Sequence, residues 1–89
     1  MSNFKYYDII LDESRYGKIE TNKNEAKPGD EIIITVIPNE GYAVRRVSVD
    51  DENSDEIPTV NLDNNKYSFI MPSMDVSIKV RYISLSEED

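Results

Sequence analysis

One short stretch concentrates the side chains with the clearest capacity for chemistry, and all of them are acidic: Asp50, Asp51, Glu52, Asp55 and Glu56. Clustered carboxylate oxygens are the ligands that calcium prefers. The spacing differs from that of an EF-hand loop, because the sixth position holds no glycine and the twelfth no glutamate. It therefore favours a solvated hairpin tip, and we assign no metal ion or cofactor to the chain.

The same acidic stretch suggests a second function, as a docking surface for a basic protein. Further negative charge comes from Asp12, Glu13, Asp63 and residues 87–89, and the net charge of the chain is −8. That charge disfavours direct binding to nucleic acid or to an anionic membrane. It would let the chain imitate a phosphate track and occupy the groove of a nucleic-acid-binding enzyme. The alternative is that acidity only keeps a small domain soluble.

Catalysis is disfavoured by the composition. The chain of 89 residues has no histidine and no cysteine. It therefore lacks the commonest general base, and its serines have no imidazole to activate them. Paired carboxylates act as acid and base in glycosidases, but a domain this small rarely encloses a pocket around such a pair. We expect a protein that is not an enzyme.

Tyrosine and arginine side chains are the other candidates for contact with a partner protein. Tyr6 and Tyr16 lie in or beside the first predicted strands, and tyrosine combines a large contact area with a polar tip. Arg45 and Arg46 are adjacent within a predicted strand, and arginine is common among the residues that dominate binding energy. The alternative for the tyrosines is that they pack at the edge of the core.

Strands must position these side chains, because no amphipathic helix of useful length is present. The densest run of β-branched residues extends from about Glu31 to Ile37. Both of its faces are largely apolar, which predicts a central strand that is covered on each side. Lys27-Pro28-Gly29-Asp30 predicts a tight turn before this strand. Pro38 ends the strand, and a turn follows in which Gly41 takes a positive φ.

The N-terminal part of the chain predicts a hairpin with a long loop. Residues 5–11 form its first strand, with Tyr7, Ile9 and Leu11 on one face, and residues 18–21 form its second strand with Ile19 inward. Residues 22–26 are polar and predict an irregular stretch.

A phase change marks the strand that begins at Tyr42. Val44 is in phase with Tyr42, whereas Val47 and Val49 are not. Since a shift of one residue reverses every side chain, we expect a β-bulge at Arg45 and Arg46 to absorb the extra residue.

Three more strands complete the predicted fold. They are residues 57–62 with Val60 and Leu62 inward, residues 67–71 with Tyr67, Phe69 and Met71 inward, and residues 76–82 with Val76, Ile78, Val80 and Tyr82 inward. About six to seven short strands with regular turns predict a small all-β fold, an antiparallel β-sandwich of Ig-like type without significant helix. Residues 1–83 would form this single domain, and residues 84–89 would form an acidic, flexible tail.

Several motifs resemble those of a known family: Gly17-x-Ile19, then Pro28-Gly29-Asp30-x-Ile32-x-Ile34-x-Val36-x-Pro38-x-x-Gly41-Tyr42-x-Val44, then Tyr67-x-Phe69-x-Met71-Pro72-x-x-Asp75-Val76-x-Ile78-x-Val80-x-Tyr82. The pattern covers about residues 16–82 and resembles the divergent internalin B-repeat-type module of bacterial surface proteins. The resemblance implies a small all-β spacer, stalk unit or adhesion module without catalytic residues. From the residues themselves, we expect Asp75 to bind the amides of its own turn, so that Val76 restarts the next strand.

Two functional hypotheses follow. The first is a non-catalytic protein-binding β module of the structural or adhesion type found in bacterial surface or phage virion proteins. The alternative is a free-standing acidic inhibitor, such as a phage-encoded anti-defence or anti-CRISPR-like protein, that blocks a nucleic-acid-binding enzyme by charge mimicry. In both, the partner is a protein, and in the second it is basic. A complete chain is expected in the cytoplasm, since no signal peptide is visible; a chain cut from a longer protein is expected at the cell surface or in a virion.

Overall fold

The computed structural model describes residues 5–86, which form nine strands in two sheets and include no helix. Within this described part, no helix is long and apolar enough to cross a membrane. The predicted all-β class is confirmed, and the two-residue strands β3 and β6 account for the larger number of strands. The strands are β1 (Tyr7–Asp12), β2 (Gly17–Thr21), β3 (Glu25–Ala26), β4 (Glu31–Pro38), β5 (Tyr42–Asp51), β6 (Glu56–Ile57), β7 (Val60–Asp63), β8 (Lys66–Ile70) and β9 (Val76–Ser84).

The two sheets share one apolar core. The five-stranded sheet has the order β3-β1-β9-β5-β6, and the four-stranded sheet has the order β2-β4-β8-β7. Ile34 and Phe69 from the smaller sheet belong to the same buried cluster as Val47 and Ile78 from the larger one. Two sheets that bury their inner faces against each other form a sandwich, so the predicted sandwich and the predicted inward direction of Phe69 and Ile78 are confirmed.

The first strand pairs differently from the prediction. β1 lies parallel to β9, with Ile9 opposite Val76, and antiparallel to β3, where Ala26 lies opposite Tyr7. β2 pairs with β4 in the other sheet. The predicted hairpin and the predicted irregular stretch over residues 22–26 are therefore wrong, and the sandwich contains one parallel pair. Alternation decides which face of a strand is buried but does not select its neighbour.

The strand β4 lies between β2 and β8, so its predicted central place in a sheet is confirmed. Only one of its faces is covered. Ile32, Ile34 and Val36 are buried, whereas Ile37 on the opposite face is 46% exposed. The prediction that both faces are covered is wrong, because the apolar residues of the outer face lie on the outside of a two-layer sandwich.

The predicted bulge in β5 and the predicted turn before it are both confirmed, and the structure adds a third tight turn. The register of β5 against β9 shifts between Val44 and Arg46, which places the bulge at Arg45. Gly41 has a φ of 90° in the turn that precedes β5. The turn between β7 and β8 places three consecutive residues in the left-handed region, namely Asp63, Asn64 and Asn65. These residue types tolerate that conformation through short side chains that bond to the local backbone.

The segment 57–62 departs most from its prediction. Ile57 belongs to β6 in the larger sheet, and the chain then crosses at Pro58 to β7 in the smaller sheet. Val60 and Leu62 are 59% and 41% exposed, so their predicted inward direction is wrong. Val60 lies opposite Ser68 at the edge of the sheet. An edge strand buries less than a central one, and its alternation therefore does not reveal which face is inward.

The C-terminal strand extends further than predicted. β9 continues through Ser84, and the amide of Leu85 donates to the carbonyl oxygen of Gly41 at 2.8 Å. Residues 84–86 therefore belong to the domain and not, as predicted, to the tail. Residues 87–89, which carry the charges of the predicted tail, lie outside the described residues.

Candidate functional site

The acidic stretch forms the tip of the hairpin between β5 and β6. The Asp51 carboxylate accepts hydrogen bonds from the amides of Asn53 and Asp55, at 2.8 and 3.0 Å. The backbone closes the same loop, since the Ser54 amide donates to the Asp51 carbonyl oxygen at 3.0 Å. This predicted partner-binding residue therefore shapes the loop, as acidic side chains often do in turns.

Glu52 and Asp75 connect the loop to two other parts of the larger sheet. The Asp75 amide donates to Glu52 Oε2 at 3.3 Å, and the Asp8 amide donates to Asp75 Oδ1 at 2.8 Å. The Asp75 carboxylate therefore holds the start of β1, not the amides of its own turn as predicted. The difference arises because β1 lies parallel to β9, which brings its first amides next to the turn that precedes Val76.

Glu56 and Arg46 form an ion pair on the outer side of the larger sheet. Arg46 Nη2 lies 3.0 and 3.2 Å from the two carboxylate oxygens of Glu56. Both side chains are more than half exposed, so this pair contributes little to stability. Arg45 occupies the bulge and is exposed, and Asp50 lies opposite Glu56 and Ser77.

The acidic loop does not have the geometry of a metal site. Among residues 5–86, no three acidic side chains converge as the ligands of a cation would. Asp51 uses its carboxylate on the loop amides, and Glu56 uses its own on Arg46. The loop thus presents negative charge to solvent, with Glu52 and Asp55 exposed at the tip.

Tyrosines cluster at the opposite end of the sandwich. The ring centroid of Tyr16 lies 4.8 Å from that of Tyr42 and 6.3 Å from that of Tyr82, and the guanidinium of Arg15 lies 5.7 Å from the Tyr16 centroid. Tyr16 is still 38% exposed, so it both packs and remains open to a partner. Tyr6 is 53% exposed and makes no ring contact of this kind with another residue in the range 5–86.

Tyr82 has an unusual environment within this cluster. Its hydroxyl is buried and has no hydrogen-bond partner in the described part of the chain. Burial raises the pKa of this phenol, and the negative charge of Glu13 adds to the effect. A Cβ atom on Gly17 would lie 2.6 Å from the Tyr82 ring, so the absence of a side chain at Gly17 lets the ring approach β2 closely.

The predicted contact residues do not form one surface. β9 begins beside Asp51 and ends beside Tyr42, and eight residue steps of a strand cover about 26 Å. The acidic loop therefore lies at one end of the larger sheet, and Tyr16 lies at the other.

A groove that the sequence did not reveal lies at the crossing between the sheets. We call it the β7–β8 groove; its volume is about 410 Å³, and its lining residues are Glu31, Ile57, Pro58, Val60, Ser68, Phe69 and Ile70. Val60 and Ile70 are 59% and 58% exposed. One sequence signal was available, because Ile70 is out of phase with the inward Phe69 and so had to point outward.

Together, the two-sheet fold, the solvent-facing charges and the open groove define a small β module. The family model of the divergent InlB B-repeat domain matches residues 7–84, and the chain belongs to this family. The match includes β1, which lies before the residues 16–82 on which the resemblance was based. Family membership points to a β module of bacterial surface proteins. Searches of curated proteins and of solved structures found no match.

Proposed function

We propose that this domain is a non-catalytic module that binds another protein in a structural or adhesive role. The observation that carries the proposal is the β7–β8 groove. Val60 on β7 and Ile70 on the adjacent strand β8 each expose more than half of their surface there. Exposed apolar area that is grouped rather than scattered is typical of interaction sites. Family membership, which points to a β module of bacterial surface proteins, is compatible with this role.

A site-specific crosslinking experiment tests this function. A photo-crosslinking amino acid replaces Ile70 in one variant and Lys18 in another, since both residues are exposed on the outer side of the smaller sheet. We expect the variant with the crosslinker at position 70 to capture one defined protein, and the variant with it at position 18 not to capture that protein. The purified captured protein should then bind the domain, with an affinity that falls about tenfold in Ile70→Ser.

The variant with the crosslinker at position 18 is the control for the variant with it at position 70. Equal capture from positions 70 and 18, or no capture from either, would contradict the proposal. The same would hold if Ile70→Ser bound the purified partner as tightly as the unchanged domain.

A second candidate function, acidic inhibition of a nucleic-acid-binding enzyme, is favoured by a different observation. The Glu52 carboxylate accepts the Asp75 amide and the Asp75 carboxylate accepts the Asp8 amide, so these acidic residues lie at the same end of the larger sheet as the exposed acidic loop. A local concentration of negative charge attracts basic grooves over distances up to a Debye length.

This candidate is tested by competition. The purified domain is added to DNA-binding nucleases, and DNA binding is measured at low and high salt. Inhibition that weakens with salt and is lost in the combined variant Glu52→Gln, Asp55→Asn, Glu56→Gln would support charge mimicry. The amide oxygen of Gln at position 52 retains an acceptor for the Asp75 amide, so the fold is preserved. Charge mimicry would be contradicted if inhibition persisted in this variant, or if the unchanged domain inhibited no nuclease.

A further inference from the structure

The β7–β8 groove combines apolar walls with a charged group. Ile57, Pro58, Val60 and Ile70 supply apolar surface, and Glu31 is the only charged residue among residues 5–86 that lines the groove. A volume of about 410 Å³ lies within the range of sites that accept a small ligand or a few side chains. The size therefore suits an inserted side chain better than an extensive flat contact.

The carboxylate of Glu31 is uncommitted. It forms no ion pair or hydrogen bond with any residue in the range 5–86, and the residue is exposed. The neighbouring Asp30 is different, since its carboxylate binds the Lys23 ammonium at 3.2 Å and the Lys27 amide at 3.0 Å. On the same sheet, Lys66 directs its ammonium to Thr35 at 3.3 Å. Glu31 thus offers a negative charge to whatever enters the groove.

Charge argues against a second copy of the chain as the occupant. Each copy would bring its own Glu31 and a net charge of −8, and like charges at an interface oppose association. A basic group would pair with the Glu31 carboxylate, and an apolar side chain would cover the exposed surface of Val60 and Ile70. A lysine offers both properties, because its stem packs on apolar surface while its ammonium reaches a polar group.

We propose that the β7–β8 groove binds a short segment of a partner protein that inserts an apolar side chain between Val60 and Ile70 and directs an adjacent lysine or arginine to Glu31. The proposal rests on the function proposed above and specifies the chemistry of the partner. The apolar side chain supplies affinity, and the cation selects the segment, since electrostatic complementarity contributes more to specificity than to affinity.

Synthetic peptides test the proposal with the full chain. Three capped pentapeptides, Ser-Leu-Lys-Leu-Ser and its counterparts with Glu or Gln in place of Lys, are titrated into the nitrogen-15-labelled protein. We expect amide shifts at Val60, Ser68 and Ile70. The lysine peptide should bind about twofold to fivefold more tightly than the glutamate peptide, the range that one exposed charge contact supports.

Three variants identify the source of the preference. Glu31→Gln should bind the three peptides equally, and Ile70→Ser should weaken all three. Ile37→Ser is the matched control, because Ile37 is 46% exposed on the same side of the sheet and does not line the groove; it should bind as the unchanged protein does. A thermal melt of each variant by circular dichroism confirms that it is folded.

Several results would overturn the proposal. These are equal affinity for the lysine and glutamate peptides, a preference that survives Glu31→Gln, or shifts that map outside the groove. Concentration-dependent dimerisation that is abolished by Ile70→Ser would assign the groove to a second copy instead. The proposed function is tested separately: if crosslinking from position 70 succeeds while the peptides show no preference, only the assigned partner chemistry fails.

Discussion

The acidic loop between β5 and β6 and the β7–β8 groove are neighbours along the chain, yet their side chains have different roles. In the loop, Asp51 and Glu52 accept backbone hydrogen bonds that shape the hairpin and hold the turn before β9. In the groove, Glu31 has no such partner, and Val60 and Ile70 face solvent. The hydrogen-bonded carboxylates of the loop therefore stabilise the fold. The exposed side chains of the groove do not take part in this stabilisation.

This contrast leads to a general expectation. Removing a loop carboxylate that accepts backbone hydrogen bonds should lower the free energy of unfolding, and substitutions of the exposed groove residues should leave it unchanged. Four predictions test or refine the contrast, beginning with the largest effect.

The first prediction separates the two sides of strand β8. Phe69 is 2% exposed, whereas its neighbour Ile70 is 58% exposed. Phe69→Ala should lower the free energy of unfolding by about 3–5 kcal/mol, because it leaves a cavity in the core. Ile70→Ser should change it by no more than about 0.5 kcal/mol. Urea denaturation measures both, and a large loss in Ile70→Ser would mean that the groove wall supports the fold.

The second prediction concerns the hairpin tip. Asp51→Ala should lower the free energy of unfolding by about 1–2 kcal/mol, since it removes the acceptor of two backbone hydrogen bonds. Asp55→Ala is the matched control, because the Asp55 side chain is exposed and its amide, not its carboxylate, takes part in the loop. Equal effects of the two substitutions would show that total charge, and not the loop geometry, is what matters.

The third prediction tests the link between the loop region and β1. Asp75→Ala removes the acceptor of the Asp8 amide and should cost about 0.5–1.5 kcal/mol. Asp75→Asn keeps an oxygen acceptor and should recover most of the loss. Hydrogen exchange of the Asp8 amide provides a local measurement, and protection that is unchanged in Asp75→Ala would refute the assigned contact.

The fourth and smallest prediction concerns Asp30, whose carboxylate is hydrogen-bonded, unlike that of the neighbouring groove residue. Hydrogen bonds from the Lys27 amide and then from Lys23 hold the pKa of Asp30 below its usual value. A carboxyl with a lowered pKa in the folded state adds stability above its unfolded pKa and loses it as the pH falls through the folded pKa. Acid titration of stability, followed by urea denaturation at each pH, should therefore be shallower in Asp30→Asn. Identical titration curves for Asp30→Asn and the unchanged protein would contradict the prediction.

Much of the fold could be predicted from local pattern. Alternation correctly assigned the inward phase of Phe69 and Ile78, because a strand with one buried side carries a period of two. The phase change near Val47 correctly predicted the bulge. Both features depend on residues that are close together in the chain.

The errors share a physical cause, which is that they depend on distant partners. The parallel pairing of β1 with β9 joins residues that are far apart in sequence, and no turn signal marks it. The Asp75 carboxylate binds an amide 67 positions away. The groove was missed for the same reason, since Glu31, Pro58 and Ile70 meet only after the chain crosses between the sheets. The acidic loop was visible as a cluster, but its hydrogen bonds were not.

The parallel alignment of β1 and β9 has a mechanical consequence. Tyr7 lies near the end of the sandwich at which β9 begins, and Ser84 lies at the other end. Tension applied to the chain through these two points would pull the first and last strands in opposite directions along their common axis. The hydrogen bonds between them would then be loaded together in shear rather than opened one after another, so the domain would be expected to resist stretching in the direction of its own chain.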